Sequence, residues 1–438
     1  MSDEYSLDIS KTSSEFSIAN FDARTCEHTK ASAISFPLPK IEGTPHGSTV
    51  GKIRVTHGFT NLRSFGGAQS TLKHHWEQDE AWAIDSNFCI FFESDNQKLS
   101  RVSSLGASWR DTIRTLRRKY RTAIGPFPQE IALYHNVWGV PFLADLDGAA
   151  RRVGLLHTSV TMEECLPAQR GLLDGLICLS RPLVDIAMRA LPELAPHRIA
   201  LLPSPLILPK MEFPKKASLK GRPFILGYAG RLTAEDKRVD RLPELFGCLE
   251  NAGLNYRLEV LGDGSLRPWL EQRLRNRTKV TFHGYQTGRR YWEILNSWDA
   301  IVFVSDVEGL PLSLLEALSC GVLPLFPKIG SGADSYARGV KEEFLYAPTD
   351  FSQVAQILSV VSCEEEKEIV MLRARCRKMV EPHLGNAYSR MFSEFLRSIR
   401  DQPRISKFQF SRRPFYWTDF LPFAFLRRTF PSGFYKSS

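Results

Sequence analysis

The chain has 438 residues, 43% of them hydrophobic, a formal net charge of +9 and eight scattered cysteines. That length exceeds what one core usually serves and predicts two domains. There is no C-x-x-C pair, no run of about 18 apolar residues and no basic-then-apolar start, which argues against a cysteine zinc site, a membrane-spanning helix and a secretory signal. The expected setting is cytoplasmic, with reduced thiols, and the surplus charge points to nucleic acid, an anionic membrane surface or phosphorylated small molecules as partners.

Residues 1–49 are rich in Ser, Thr and Pro without apolar periodicity, a composition that predicts a disordered leader. Over 50–205, short apolar runs alternate with segments long enough for helices: KIRVTH at 52, FCIFF at 88, IALYH at 131, VGLLH at 153, LICLS at 176 and IALLP at 199. Such alternation predicts a parallel sheet covered by helices. A Pro- and Lys-rich stretch at 206–222 breaks the pattern as a linker does. A second series fills 223–385, with FILGYAG at 224, RLEVLGDG at 257, KVTFHG at 279, AIVFVS at 300, VLPLF at 322 and FLYAP at 344. Residues 386–402 read as a closing helix, and 403–438 as a basic, aromatic tail that holds much of the surplus charge. The predicted fold class is α/β, two Rossmann-like domains facing across a cleft, with ligands at the carboxyl ends of the strands.

The stretch EGLPLSLLEALSCG carries the most chemistry. Pro311 suits a first helical turn and Gly321 the position past the end, which predicts a helix over about 311–319. Its start, from Gly309 and Leu310 through Pro311 to Leu312, forms an anion site by backbone N–H groups and helix dipole. Glu308 precedes that site, and Glu316 sits among Leu314, Leu315, Ala317 and Leu318, where a carboxylate needs a partner. In GYAGRLTAEDK, Arg231 and Lys237 follow the first strand of the second domain, two cations suited to a diphosphate. In SFGGAQST, Gly66 and Gly67 let backbone approach a ligand closely.

These elements, G-R-L followed by Lys237, G-D-G at 262–264, E-G-L-P-x-x-x-x-E-A at 308–317 and G-G-A-Q at 66–69, together resemble the family 4 retaining glycosyltransferases of GT-B fold over about residues 50–400. The resemblance extends to LLHTS, where His157 falls at the histidine which that family places beside the donor sugar, and to ICLSRPLVD. It implies an acceptor-side first domain and a second domain that binds a nucleotide-diphosphate sugar, of UDP or GDP type. Arg231 and Lys237 are implied to neutralise the departing diphosphate, Glu316 to accept from the ribose hydroxyls and Glu308 to contact the transferred sugar. Further implications are retention of configuration by front-face attack, no metal or other cofactor, and a glycan or glycolipid acceptor.

Taken singly, these residues have plainer readings. A glutamate in an apolar helix is commonly half exposed or paired with a Lys or Arg, His157 and the weaker His135 suit satisfied core histidines, and G-G-A-Q and G-D-G are each tight turns. The chain also departs from the family at KIGSGADSYARG, where Ser331 and Asp334 are expected to alter donor-sugar contacts. A dinucleotide-dependent oxidoreductase is disfavoured because no strand is followed by G-x-G-x-x-G. A non-catalytic GT-B scaffold has no reason to gather Arg231, Lys237, Glu308 and Glu316.

Two segments bear on the acceptor. Over 109–125, Trp109, Ile113, Leu116, Tyr120 and Ile124 form one helical stripe among arginines, which suits either an anionic membrane surface or packing on the protein's own sheet. The 403–438 tail interleaves arginines with Phe, Tyr and Trp and suits insertion at a membrane interface or docking on the first domain. Nucleic acid is not expected as a partner, since no nucleic-acid module accompanies these aromatics. The expected location is cytoplasmic and peripheral on the inner face of the plasma membrane.

Overall fold

A computed structural model describes residues 51–61, 67–93, 101–108, 110–125, 127–157, 162–214, 216–235, 237–275, 279–405 and 417–422. The leader at 1–49, Gly66, Trp109 and most of the tail lie outside the described residues.

The first sheet contains β1 (Ile53–Phe59), β2 (Ile84–Ile90), β3 (Val102–Ser104), β4 (Ile131–His135), β5 (Arg151–Leu156), β6 (Gly175–Cys178) and β7 (Ile199–Leu201), in the order β3-β2-β1-β4-β5-β6-β7. The second contains β8 (Phe224–Ala229), β9 (Tyr256–Leu261), β10 (Val280–Gly284), β11 (Ala300–Val302), β12 (Leu323–Pro327) and β13 (Leu345–Tyr346), in the order β10-β9-β8-β11-β12-β13. All neighbours pair in parallel. Strand order reverses direction between β1 and β4 and between β8 and β11, so each sheet has a switch point where ligands of such folds bind. Every apolar run named above becomes a strand. The one unforeseen strand, β3, is a three-residue edge element with only Val102 apolar.

The chain crosses between the domains twice, and the crossings run side by side. Leu206 pairs with Leu384, and the Leu206 N–H donates to the His383 carbonyl at 2.8 Å. The helix Gly385–Asp401 then returns to the first sheet, where Tyr388, Phe392, Leu396 and Ile399 share a buried cluster with Ile53, Val55, Leu133, Val153 and Leu155. The far end of the chain therefore completes the first domain's core. Where the linker enters the second domain, Arg222 grips the buried Asp299 with two bonds of 2.7 Å, and Arg373 reaches the same carboxylate at 3.2 Å.

The basic helix is Ile113–Ile124, and its stripe faces inward: Ile113, Leu116, Tyr120 and Ile124 are buried on the first sheet. Arg117, one of the arginines around the stripe, is also buried and pairs with Asp145 through contacts of 2.6 and 2.7 Å. The apolar stripe is thus taken up by the core and is not offered to a membrane. Part of the tail, Trp417–Phe420, makes a short turn beside this helix; Pro422 bridges to Thr112, and the Arg114 guanidinium lies 5.6 Å from the Phe420 ring centre. For residues 417–422, docking on the first domain is the reading that holds.

Candidate active site

A cleft of about 1380 Å³ opens where the carboxyl ends of the two sheets face each other. From the first domain it is lined by Gln69, Ser70, Trp76 and His157, and from the second by Arg231, Lys237, Tyr291, Glu308, Glu316 and the turn Gly309 to Ser313. The helix behind that turn is Leu312–Ser319, with Pro311 at its cap, so its positive end points into the cleft. Gly67 opens the helix Gly67–Gln78, which carries Gln69 and Ser70 to the opposite wall. Sequence distance thus closes to one site for Arg231, Lys237, His157, Glu308 to Leu312, and Glu316.

The G-D-G element supports this wall. Gly262 has φ +143°, and a Cβ there would fall 1.9 Å from the Gly230 carbonyl oxygen. Backbone of the loop after β9 therefore lies directly on the loop that bears Arg231, a contact only glycine permits. Leu232 N–H donates to the Asp263 carbonyl at 2.9 Å and Leu266 N–H to the Leu232 carbonyl at 2.9 Å, tying the two loops together. Arg231 is exposed to the cleft.

Lys237 and Glu308, expected to serve different parts of a ligand, hold each other. The Lys237 ammonium donates to both Glu308 oxygens, at 2.7 and 2.8 Å, and Ser305 donates to one of them at 2.7 Å. Glu308 is buried, and such a carboxylate is stable only with partners of this kind.

Glu316 also differs from expectation. The plainer reading allowed a Lys or Arg partner, but it is Tyr291, on the neighbouring helix Gly288–Ser297, that donates its hydroxyl hydrogen to Glu316 Oε2. Burial raises the Glu316 pKa, and the Tyr291 hydrogen bond works against that rise. The motif predicted that this carboxylate needs company; it did not reveal that GRRYWEIL supplies one donor. Ser331 and Asp334 are corrected as well. Asp334 turns back to accept from the Gly330 and Ser331 N–H groups at 3.1 and 3.0 Å and from the Ser331 hydroxyl at 2.9 Å, so these side chains brace the loop and do not line the cleft.

His157 is half-buried at the cleft, with its Nε2 2.8 Å from His135 Nδ1. Behind it lies a group that sequence reasoning missed, His57, His75 and Asp79, whose ligand atoms all lie within 4.8 Å of one another. Among the described residues this cluster has the donor set of a cation site, but its atoms bond among themselves. His75 Nδ1 is 2.9 Å from Asp79 Oδ1, and Ser86 donates to Asp79 Oδ2.

Comparison with known proteins agrees with this geometry. Residues 209–378 match the family model described as glycosyl transferases group 1. The protein is also similar, at 17% identity and a TM-score of 0.63 over 79% of this chain and 99% of the other, to the lipopolysaccharide outer core galactosyltransferase WaaB in its apo form. The fold is GT-B. A second GT-B structure, Anabaena Alr3699/HepE in complex with UDP, gives a TM-score of 0.62 at 13% identity, covering 79% of this chain and all of that one. In sequence, a lipopolysaccharide 1,6-galactosyltransferase of Escherichia coli K12 is 29% identical over 139 residues, 30% of this chain. The chain spans only 38% of that relative's length. Within the GT-B frame, the matched segment is the second domain, which supplies Arg231, Lys237, Glu308 and Glu316.

Proposed function

We propose that the protein is a retaining glycosyltransferase that takes a hexose from a nucleotide-diphosphate sugar and gives it to a glycan or lipid-linked acceptor at the cytoplasmic face of the membrane, without a metal. The observation that carries this reading is the wall of the cleft itself: Arg231, Lys237 and the start of the helix Leu312–Ser319 converge beside two carboxylates, Glu308 and Glu316. Two cations and a helix start match a diphosphate, and two carboxylates match hydroxyl-bearing groups on either side of it. The similarity to a 1,6-galactosyltransferase and to a structure in complex with UDP makes UDP and a galactosyl donor the first choice, with GDP sugars second.

In this reading the bond from the sugar's anomeric carbon to the leaving phosphate oxygen breaks while the acceptor oxygen bonds to the same face. The acceptor proton passes to the departing phosphate. Negative charge grows on the diphosphate, and Arg231, Lys237 and the helix start stabilise it. Lys237 turns from Glu308 toward the phosphate, leaving Glu308, still held by Ser305, for a sugar hydroxyl. Glu316 offers its second oxygen to the ribose hydroxyls while Tyr291 keeps the first.

The deciding experiment is a thermal-shift comparison of UDP, GDP, ADP, NAD and NADP, followed by transfer assays with the matching nucleotide sugars and NMR of the product anomer. Stabilisation by one nucleoside diphosphate and a product of unchanged anomeric configuration support the reading. A shift with NAD or NADP alone overturns it, and an inverted product or loss of transfer in chelator removes retention or metal independence.

A further inference from the structure

His57 lies in β1, His135 ends β4 and His157 follows β5, and these three strands are neighbours in the first sheet. The register sets His57 opposite Leu133 and His135 opposite Leu155, so each histidine lies two residues beyond the one before it. A step of two keeps side chains on the same face of a sheet, and the imidazoles meet in a row. His157 Nε2 is 2.8 Å from His135 Nδ1, and His135 Nε2 is 3.2 Å from His57 Nδ1. At the far end His57 Nε2 lies 3.4 Å from Ser86 Oγ and 3.5 Å from Asp79 Oδ2. His57, Ser86, Asp79 and His135 are at most 2% exposed.

A neutral imidazole has one N–H and one lone pair, so a contact between two of them uses one of each, and a row of neutral rings points one way along its length. Burial keeps these rings neutral, lowering the pKa of His57 to about 4 and of His157 to about 3, and that of His135 well below its usual value. The end of the row chooses the direction. The Asp79 carboxylate only accepts, and the Ser86 hydroxyl already donates to it. Whether His57 Nε2 faces the serine oxygen or the carboxylate, it must therefore carry the hydrogen. His57 Nδ1 then accepts from His135 Nε2, His135 Nδ1 accepts from His157 Nε2, and the last ring, in the cleft wall, is left with its lone pair on Nδ1.

We propose that Asp79, acting through His57 and His135, fixes the tautomer of His157 so that its remaining nitrogen is a hydrogen-bond acceptor for a hydroxyl of the sugar substrate. The tautomer follows from the row alone; the hydroxyl partner rests on the proposed glycosyltransferase reading. Asp79 is then a positioning residue some distance behind the cleft, and His157 selects a ligand that donates. A cation bound between His57, His75 and Asp79 demands the reverse, because it takes the lone pair of His57 Nε2. The row would then turn round and place an N–H on His157 Nδ1.

Histidine-selective nitrogen-15 NMR of the full-length protein separates these cases, with His157 assigned by its loss in His157→Gln. The expected wild-type spectrum shows His157 protonated on Nε2 and bare on Nδ1, and Asp79→Asn, which can donate as well as accept, loses that single tautomer. In transfer assays Asp79→Asn is expected to lower kcat/KM by about tenfold, the scale of one hydrogen bond, while the shift produced by UDP is kept. If Asp79→Asn does not fold, His135→Phe breaks the row midway and gives the same reading. A wild-type His157 protonated on Nδ1, or a spectrum unchanged in a folded variant, overturns the proposal. Failure to bind any nucleotide with the Nε2 tautomer intact leaves the row standing and removes the proposed function instead.

Discussion

Tyr291 gives its hydroxyl hydrogen to the Glu316 carboxylate, from one helix of the cleft wall to the next. This pairing explains how an acid is tolerated among Leu314, Leu315, Ala317 and Leu318, all buried. It also leaves one carboxylate oxygen for a ligand, since only Oε2 takes the tyrosine. Structural and binding roles can therefore share one side chain.

The two roles separate by mutation. Tyr291→Phe is expected to lower the melting temperature, because a partly desolvated carboxylate loses a partner at a cost of about 1–3 kcal/mol, but to keep the shift produced by UDP. Glu316→Ala is expected to lose most of that shift, which for a ligand at a hundred times its Kd corresponds to about 2.7 kcal/mol in wild type. A full UDP shift in Glu316→Ala would leave Glu316 as a partner of Tyr291 alone.

Lys237→Ala is expected to reduce turnover by about a hundredfold or more, the scale of one preorganised group facing transition-state charge. The same change strands the buried Glu308 with the Ser305 hydroxyl in place of an ion pair, so a fall in melting temperature accompanies it. Glu308→Gln separates the effects: it removes the buried charge and leaves Lys237 in place. Steady-state kinetics on both variants decide, and wild-type kcat in Lys237→Ala would remove the lysine from the reaction.

Much of the fold was legible because parallel strands buried on both faces read as unbroken apolar runs, as IALYH and AIVFVS do. β3 was not, because a short edge strand needs no such run. The destination of the helix Gly385–Asp401 was hidden for another reason: an amphipathic stripe shows that a helix has a partner without saying which sheet. Of the site, the charged residues could be named from their spacing, whereas their pairing could not. Lys237 with Glu308 and Tyr291 with Glu316 are contacts across loops and helices. The histidine row was visible only as separate letters in KIRVTH, IALYH and VGLLH, because its continuity depends on the register of β1, β4 and β5.

Gly262→Ala tests the support of the cation-bearing loop. Its Cβ meets the Gly230 carbonyl, backbone that cannot step aside as a side chain does, and φ +143° strains any L residue. Expected are a large drop in melting temperature and, in whatever fraction folds, weaker UDP binding through a displaced Arg231. Near-wild-type stability and affinity would show that the two loops are not coupled.

With the apolar stripe of the helix Ile113–Ile124 buried, the proposed location at a membrane would draw on its outer face, where Arg114, Arg118 and Arg121 are exposed and Phe420, also exposed, lies against Arg114. No helix among the described residues is long and apolar enough to cross a membrane. Replacing the three arginines by glutamate is expected to abolish co-sedimentation with phosphatidylserine vesicles at low salt, at about 1 kcal/mol for each arginine lost. Unchanged sedimentation would assign that face to solvent.

Stability is expected to fall as pH drops from about 6.5 toward 4. Burial lowers the pKa of His57, His74 and His383 to about 4 and of His157 to about 3, with His135 lower than usual as well. Between those values and 6.5 the unfolded chain takes up protons that the folded chain refuses, so protonation favours unfolding, by about 2 kcal/mol for each such histidine at pH 5. Asp147 acts in the opposite sense, since burial raises its pKa to about 6 and the fold holds its proton more tightly than the unfolded chain does. Glu316, also raised, adds to that opposition. Five histidines outweigh two carboxyls, and melting temperatures measured from pH 8 to pH 4.5 should decline steeply below about 6.5, ahead of the range where ordinary carboxylates titrate. A melting temperature that is flat or rising down to pH 5 would show that these histidines are not held neutral, and would remove the basis for a row of rings pointing one way.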